Sequence, residues 1–105
     1  MEERRFWPRV RRLLEAQWID AAGARTMARV SDLSLGGCYL ATLVTPRPRA
    51  RCQVFLFLPH EGVTTINAEV VHVDPYVGCG VRFVEPSQQA GDALARTLST
   101  FLAEQ

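Results

Sequence analysis

The 105-residue chain contains no lysine: all twelve of its basic residues are arginine. Arginine is planar and permanently charged, and its paired donors fit phosphate or a guanine edge, whereas lysine is a flexible point charge. Cysteine is scarce. Cys38, Cys52 and Cys79 are an odd count with no CxxC pair, which argues against a disulfide framework or a zinc ribbon. His60 and His72 are the only histidines, and neither stands at metal-motif spacing from a cysteine. The cysteines therefore read as small buried hydrophobes in a reducing compartment. No apolar run approaches the ~20 residues that span a bilayer. The longest, Val54 to Pro59, is strand-sized. No apolar stretch follows Met1-Glu2-Glu3-Arg4-Arg5, so no signal peptide is indicated and a cytoplasmic location is expected. There is no G-x-S-x-G, no phosphate loop and no serine-histidine-aspartate order, so nothing points to an enzyme, and no metal or cofactor is expected.

What is present is 48% hydrophobic and 22% charged, the composition of one small globular domain. The net charge is only +1, but it is unevenly spread. Residues 1–12 hold Arg4, Arg5, Arg9, Arg11 and Arg12 against Glu2 and Glu3, a local +3. The remainder holds seven arginines against nine acids, a net −2. A short basic arm is set against a near-neutral body, which argues against a long nucleic-acid track.

The body reads as six strands. They are expected at Val10–Asp20, Arg25–Ser31, Cys38–Thr42, Arg51–Leu58, Thr64–Val73 and Cys79–Val84. Arg25 to Ser31 alternates, with Thr26, Ala28 and Val30 on one side and arginines with Met27 on the other. Arg51 to Leu58 has apolar residues on both faces, so each face needs a cover. Asp32 to Gly37, Pro59 to Gly62 and Asp74 to Gly78 read as turns, and Pro46-Arg47-Pro48-Arg49 as a loop. After Pro86 the period changes. Leu94, Leu98, Phe101 and Leu102 lie on one helical face, with Ser87 placed to cap it. The expectation is mainly β: a small six-stranded antiparallel barrel (10–84), a C-terminal helix (87–104) and a basic N-terminal arm (1–9).

Two motifs exceed what a barrel needs. Arg5 and Arg9 make an RxxxR spacing, preceded by Arg4, and Pro8 presets the chain around Trp7 as extended. Asp32, Ser34 and Gly37 make a DxSxxG segment between two strands. An aspartate can accept from the N1–H and N2–H₂ edge of guanine, a serine can bond phosphate or ribose, and glycines such as Gly36 and Gly37 let a flat ring or backbone approach.

In this order, and with Gly80-Val81-Arg82-Phe83 in the last strand, these residues resemble the PilZ family of bacterial cyclic di-GMP receptors. The resemblance runs the length of the chain. It implies that Arg5 and Arg9 clamp phosphates and the guanine Hoogsteen edge. It implies further that Asp32 holds a guanine edge, that Ser34 bonds near phosphate and ribose, and that Gly36 and Gly37 leave room for the base. Arg4 stands where some members use arginine to bind an intercalated ligand dimer. His72 is either the residue that stacks on guanine near the end of the fifth strand or simply an exposed strand residue. Arg11 and Arg12 read as a solvated strand start. Arg47, Arg49 and Arg51 serve either solubility or a partner surface. The implied function is a cyclic di-GMP receptor and adaptor, in motility or biofilm regulation, that couples to an effector protein through ordering of the arm. A degenerate interaction module that binds no nucleotide and a small-barrel single-strand binder are the alternatives.

Overall fold

A computed structural model describes residues 9–104. Arg4 and Arg5, and the arm ordering expected of residues 1–9, lie outside the described residues apart from Arg9 itself. Six strands precede one helix: β1 Leu14–Asp20, β2 Arg25–Leu33, β3 Gly37–Ala41, β4 Arg51–Leu58, β5 Gly62–Asp74, β6 Gly78–Phe83 and α1 Gln88–Ala103. The strands close into an antiparallel barrel in the order β1-β2-β3-β6-β5-β4, so among the described residues no sheet edge is left open. The alternation expected of β2 holds, with Ala28 and Val30 buried and Arg25, Met27 and Arg29 exposed. The interior is filled by Trp18, Val30, Leu40, Val54, Leu56 and Ile66. All three cysteines are free and buried within strands. Burial pushes the Cys52 and Cys79 thiols up to about 11. Among the described residues, no helix is long and apolar enough to cross a membrane.

Two boundaries and the faces of one strand differ from the sequence reading in ways that bear on the site or the core; β3, β5 and β6 shift by only one or two residues at their ends. The first strand begins at Leu14 rather than Val10. Val10 instead forms an isolated bridge with Leu33, with reciprocal N–H···O bonds of 2.9 and 3.0 Å. The second strand does not stop at Ser31. That bridge and the pairing with β3 extend it to Leu33, with a bulge between Val30 and Asp32. Asp32 therefore sits on a strand, and the turn that follows is shorter than the motif. On β4 the alternation is one-sided: Cys52, Val54, Leu56 and Leu58 are buried, while Phe55 and Phe57 are half-buried outside. The Arg25 guanidinium lies 5.1 Å from the Phe55 ring centre and covers that face.

The helix packs against β4 and β5 and buries Leu94, Leu98 and Phe101. The Ser87 hydroxyl caps it by accepting from the Ala90 amide at 3.1 Å. Leu102 leaves the expected stripe and is 41% exposed. At about 100° per residue it lies roughly 80° around from Leu94, at the edge of the buried face.

Candidate functional site

The Val10–Leu33 bridge decides the geometry. Val10 is fully buried, so the chain just before it is held against the end of β2. Arg9 consequently meets Asp32, with Nε 3.3 Å from Oδ2. The pair is open to solvent: the Arg9 side chain is 52% exposed and that of Asp32 28%. The second carboxylate oxygen, Asp32 Oδ1, is buried and accepts no hydrogen bond among the described residues. A buried acceptor without a donor is costly and calls for an explanation.

Arg9 and Asp32 line a concavity of about 1290 Å³. This is larger than an ordinary small-molecule cleft of roughly 300–1,000 Å³. Ser34, Gly36, Gly37 and His72 line it too, so all the candidate residues among the described ones converge on one surface. Its other charged walls are Arg11, Arg12 and Arg82. Among the described residues four arginines and one acid, Asp32, line the concavity. Arg12 and Arg82 are paired with Glu104 and Glu69 beyond its lining, so the positive charge that favours an anion is modest and centred on Arg11 and the Arg9–Asp32 pair.

The turn that carries the glycines is held by Ser34. Its hydroxyl donates to the Gly37 carbonyl at 3.3 Å and accepts from the Gly36 amide at 3.2 Å. Ser34 is 3% exposed, so in this arrangement its side chain shapes the wall. Gly37 is demanded by β6, whatever the concavity holds. A Cβ there would stand 2.1 Å from the Val81 carbonyl oxygen.

On the opposite wall, a bulge between Val70 and His72 interrupts the β5–β6 register. His72 Nε2 lies 2.9 Å from Asp74 Oδ1, and Tyr39 Oη donates to Asp74 Oδ2 at 2.7 Å. Those hydrogen bonds, that from Tyr39 first, hold the Asp74 carboxyl below its usual range. Partial burial and the same bond push the Tyr39 hydroxyl up to about 12. A strand-period signal marks Asp74, two residues after His72 on the same face; the sequence reading passed over it, as it did Tyr39. It also passed over Arg82, which pairs with Glu69 across the β5–β6 ladder.

Arg12 departs from the expected solvated strand start. It pairs with Glu104 and lies over the Phe101 ring, 4.3 Å from its centre. The segment after the arm is thereby tied to the C-terminal end of α1.

The PilZ domain family model matches residues 3–100. The chain belongs to the PilZ domain family. Its fold is that of solved PilZ structures. The Escherichia coli YcgR PilZ domain with c-di-GMP superposes with a TM-score of 0.78 at 19% identity, covering 97% of this chain and 94% of that one. YcgR in complex with c-di-GMP gives 0.81 at 21% identity, covering 96% of this chain and 47% of that one. The K. pneumonia MrkH–c-di-GMP complex gives 0.80 at 21% identity, covering 99% and 55%. This PilZ chain therefore spans about half the length of those two relatives. A search of curated proteins finds no match.

Proposed function

We propose that this PilZ domain is a receptor for cyclic di-GMP. The observation that carries the reading is Asp32. Its side chain lines the concavity, and its Oδ1 is buried without a donor among the described residues, a place that a guanine N1–H or N2–H₂ group would fill. Arg9, partly exposed at the same carboxylate, is placed to reach a phosphate or the guanine Hoogsteen edge without leaving Asp32. The arginines of the rim suit a dianionic ligand, and the size of the concavity suits a large one. Solved relatives of the same fold are complexes with this nucleotide. Ser34, Gly36, Gly37 and His72 complete the proposed site, with Arg4 and Arg5 closing it from the arm. Two intercalated nucleotides per chain are the proposed stoichiometry, set by Arg4. Binding orders residues 1–9 into a surface that an effector protein reads. The free thiols fit a reducing, cytoplasmic setting.

Titration calorimetry tests this. Cyclic di-GMP should bind saturably at two per chain, falling to one in Arg4→Leu. Cyclic di-AMP, whose adenine lacks paired donors on that edge, should bind far more weakly. Arg9→Ala removes a charge-assisted contact of roughly 1.5–3 kcal/mol and should weaken binding about ten- to hundredfold. Equal binding of both nucleotides would remove the role given to Asp32, and silence toward cyclic di-GMP would overturn the proposal.

A further inference from the structure

The far end of the β3–β6 pair carries a second surface. The loop after β3 and the turn between β5 and β6 are fastened together there. The Thr42 amide donates to the Val77 carbonyl at 3.1 Å, and the Tyr76 amide donates to Thr45 Oγ1 at 3.2 Å. This brings together two segments that carry four exposed apolar side chains: Leu43 (81% exposed), Val44 (50%), Tyr76 (75%) and Val77 (61%). Scattered exposed apolar residues mean little, but a contiguous group on a fixed frame marks an interaction site.

The conformation of Tyr76 adds a separate observation. The Val77 amide closes a turn onto the Asp74 carbonyl at 3.0 Å, with Pro75 and Tyr76 at its centre. Tyr76 has φ +62°. This position favours glycine or asparagine. An aromatic ring held there and pointed at solvent costs stability and gains no packing in return. Such strain persists where display of the side chain matters.

Charge selects the occupant. Arg47 and Arg49 lie in the same loop, and Arg51 opens β4. Among the described residues none of the three forms an ion pair. Glu69, the acid across the ladder from Arg51 and within the field of Arg49 and Arg51, is already paired with Arg82, and Asp74, the acid nearest in sequence to the turn, is engaged by Tyr39 and His72. The loop thus runs from the apolar residues, fastened to the turn at Thr45, through Arg47 two residues on, to Arg49 beside Val70 of β5, so basic charge follows the apolar group along one side.

We infer that this end of the barrel docks a segment of a partner protein that presents apolar side chains flanked by carboxylates. The apolar pair of the segment covers Tyr76, Val77, Leu43 and Val44, and its acids meet Arg47 and Arg49. The surface is separate from the nucleotide site, and its test uses no nucleotide, so either reading can fail alone.

The test is an NMR titration of the ¹⁵N-labelled chain with a synthetic peptide carrying a Leu-Phe pair flanked on each side by two glutamates. Amide shifts should centre on residues 42–47 and 74–78 and saturate. Affinity should fall several-fold when salt is raised, because screening weakens the exposed charges. Arg47→Glu with Arg49→Glu should abolish the effect. Tyr76→Gly suits the turn, so the chain should stay folded while affinity falls about tenfold or more, as for loss of an aromatic anchor. The inference is overturned if a lysine-flanked peptide binds equally well or if the shifts map elsewhere. It is also overturned if Tyr76→Gly leaves affinity unchanged, or if the surface shifts on dilution without peptide, which would make a second copy the occupant.

Discussion

At the scale of single residues, Asp32 and Gly37 show how one short motif serves two masters. Asp32 holds Arg9 with one oxygen, and the other is buried without a donor among the described residues. Gly37 is fixed by the sheet, since its missing side chain makes room for the Val81 carbonyl. Gly37→Ala should therefore destabilise the chain with or without nucleotide. The clash is with backbone, which cannot rotate away, so the cost should lie near or above the upper end of the usual overpacking range, about 3 kcal/mol. Urea unfolding of the ligand-free variant measures it. A midpoint equal to that of the parent chain would show that β3 and β6 yield at this point. The motif itself was legible only in combination, because it follows an RxxxR spacing and lies between two strand-like segments; alone, aspartate and serine suit any turn. The reason for the glycine was not, because it depends on a carbonyl from a strand more than forty positions away. The bond between Tyr39 and Asp74 stayed hidden for the same reason, since it spans 35 positions.

At the scale of elements, local periodicity carried most of the reading. Turn signals between strand-forming segments, with clear alternation in Arg25–Ser31, gave six strands, and a change of period gave the helix with Ser87 at its start. What local pattern cannot show is pairing. The end of β2 and the start of β1 both depend on the bridge between Val10 and Leu33, a contact across more than twenty residues. That bridge also brings Arg9 to Asp32, so the boundary missed in the sequence is the one that builds the site. The cap of α1 is local and easier to test. Ser87→Ala leaves the Ala90 amide without its acceptor and should cost about 1 kcal/mol, while Ser87→Asp should restore most of it. Chemical denaturation compares the three chains. If Ser87→Ala matches the parent, solvent replaces the cap at no cost and α1 owes its start to packing alone.

At the scale of the whole molecule, three carboxylates tie distant parts of the barrel together. Glu61, in the β4–β5 turn, accepts two hydrogen bonds of 2.9 and 3.0 Å from Arg96 on α1. Glu69 on β5 pairs with Arg82 on β6, and Asp74 at the end of β5 accepts from Tyr39 on β3. These partners hold all three carboxyls below their ordinary range. The sign of the pH dependence follows. Near the ordinary carboxylate value of about 4, the unfolded chain takes up protons that the folded chain refuses. The stabilisation is complete above that value and is lost as pH falls through the lowered ones. The urea midpoint of the ligand-free chain should therefore hold steady from neutral pH to about 5 and drop below about 4. Glu61→Gln should start from a lower midpoint at neutral pH and lose less on acidification, because its amide keeps a polar contact with Arg96 but cannot titrate. A parent midpoint as high at pH 3 as at pH 7 would deny these pairs a role in stability. An equal acid drop in Glu61→Gln would move that role away from the β4–β5 turn and its hold on α1.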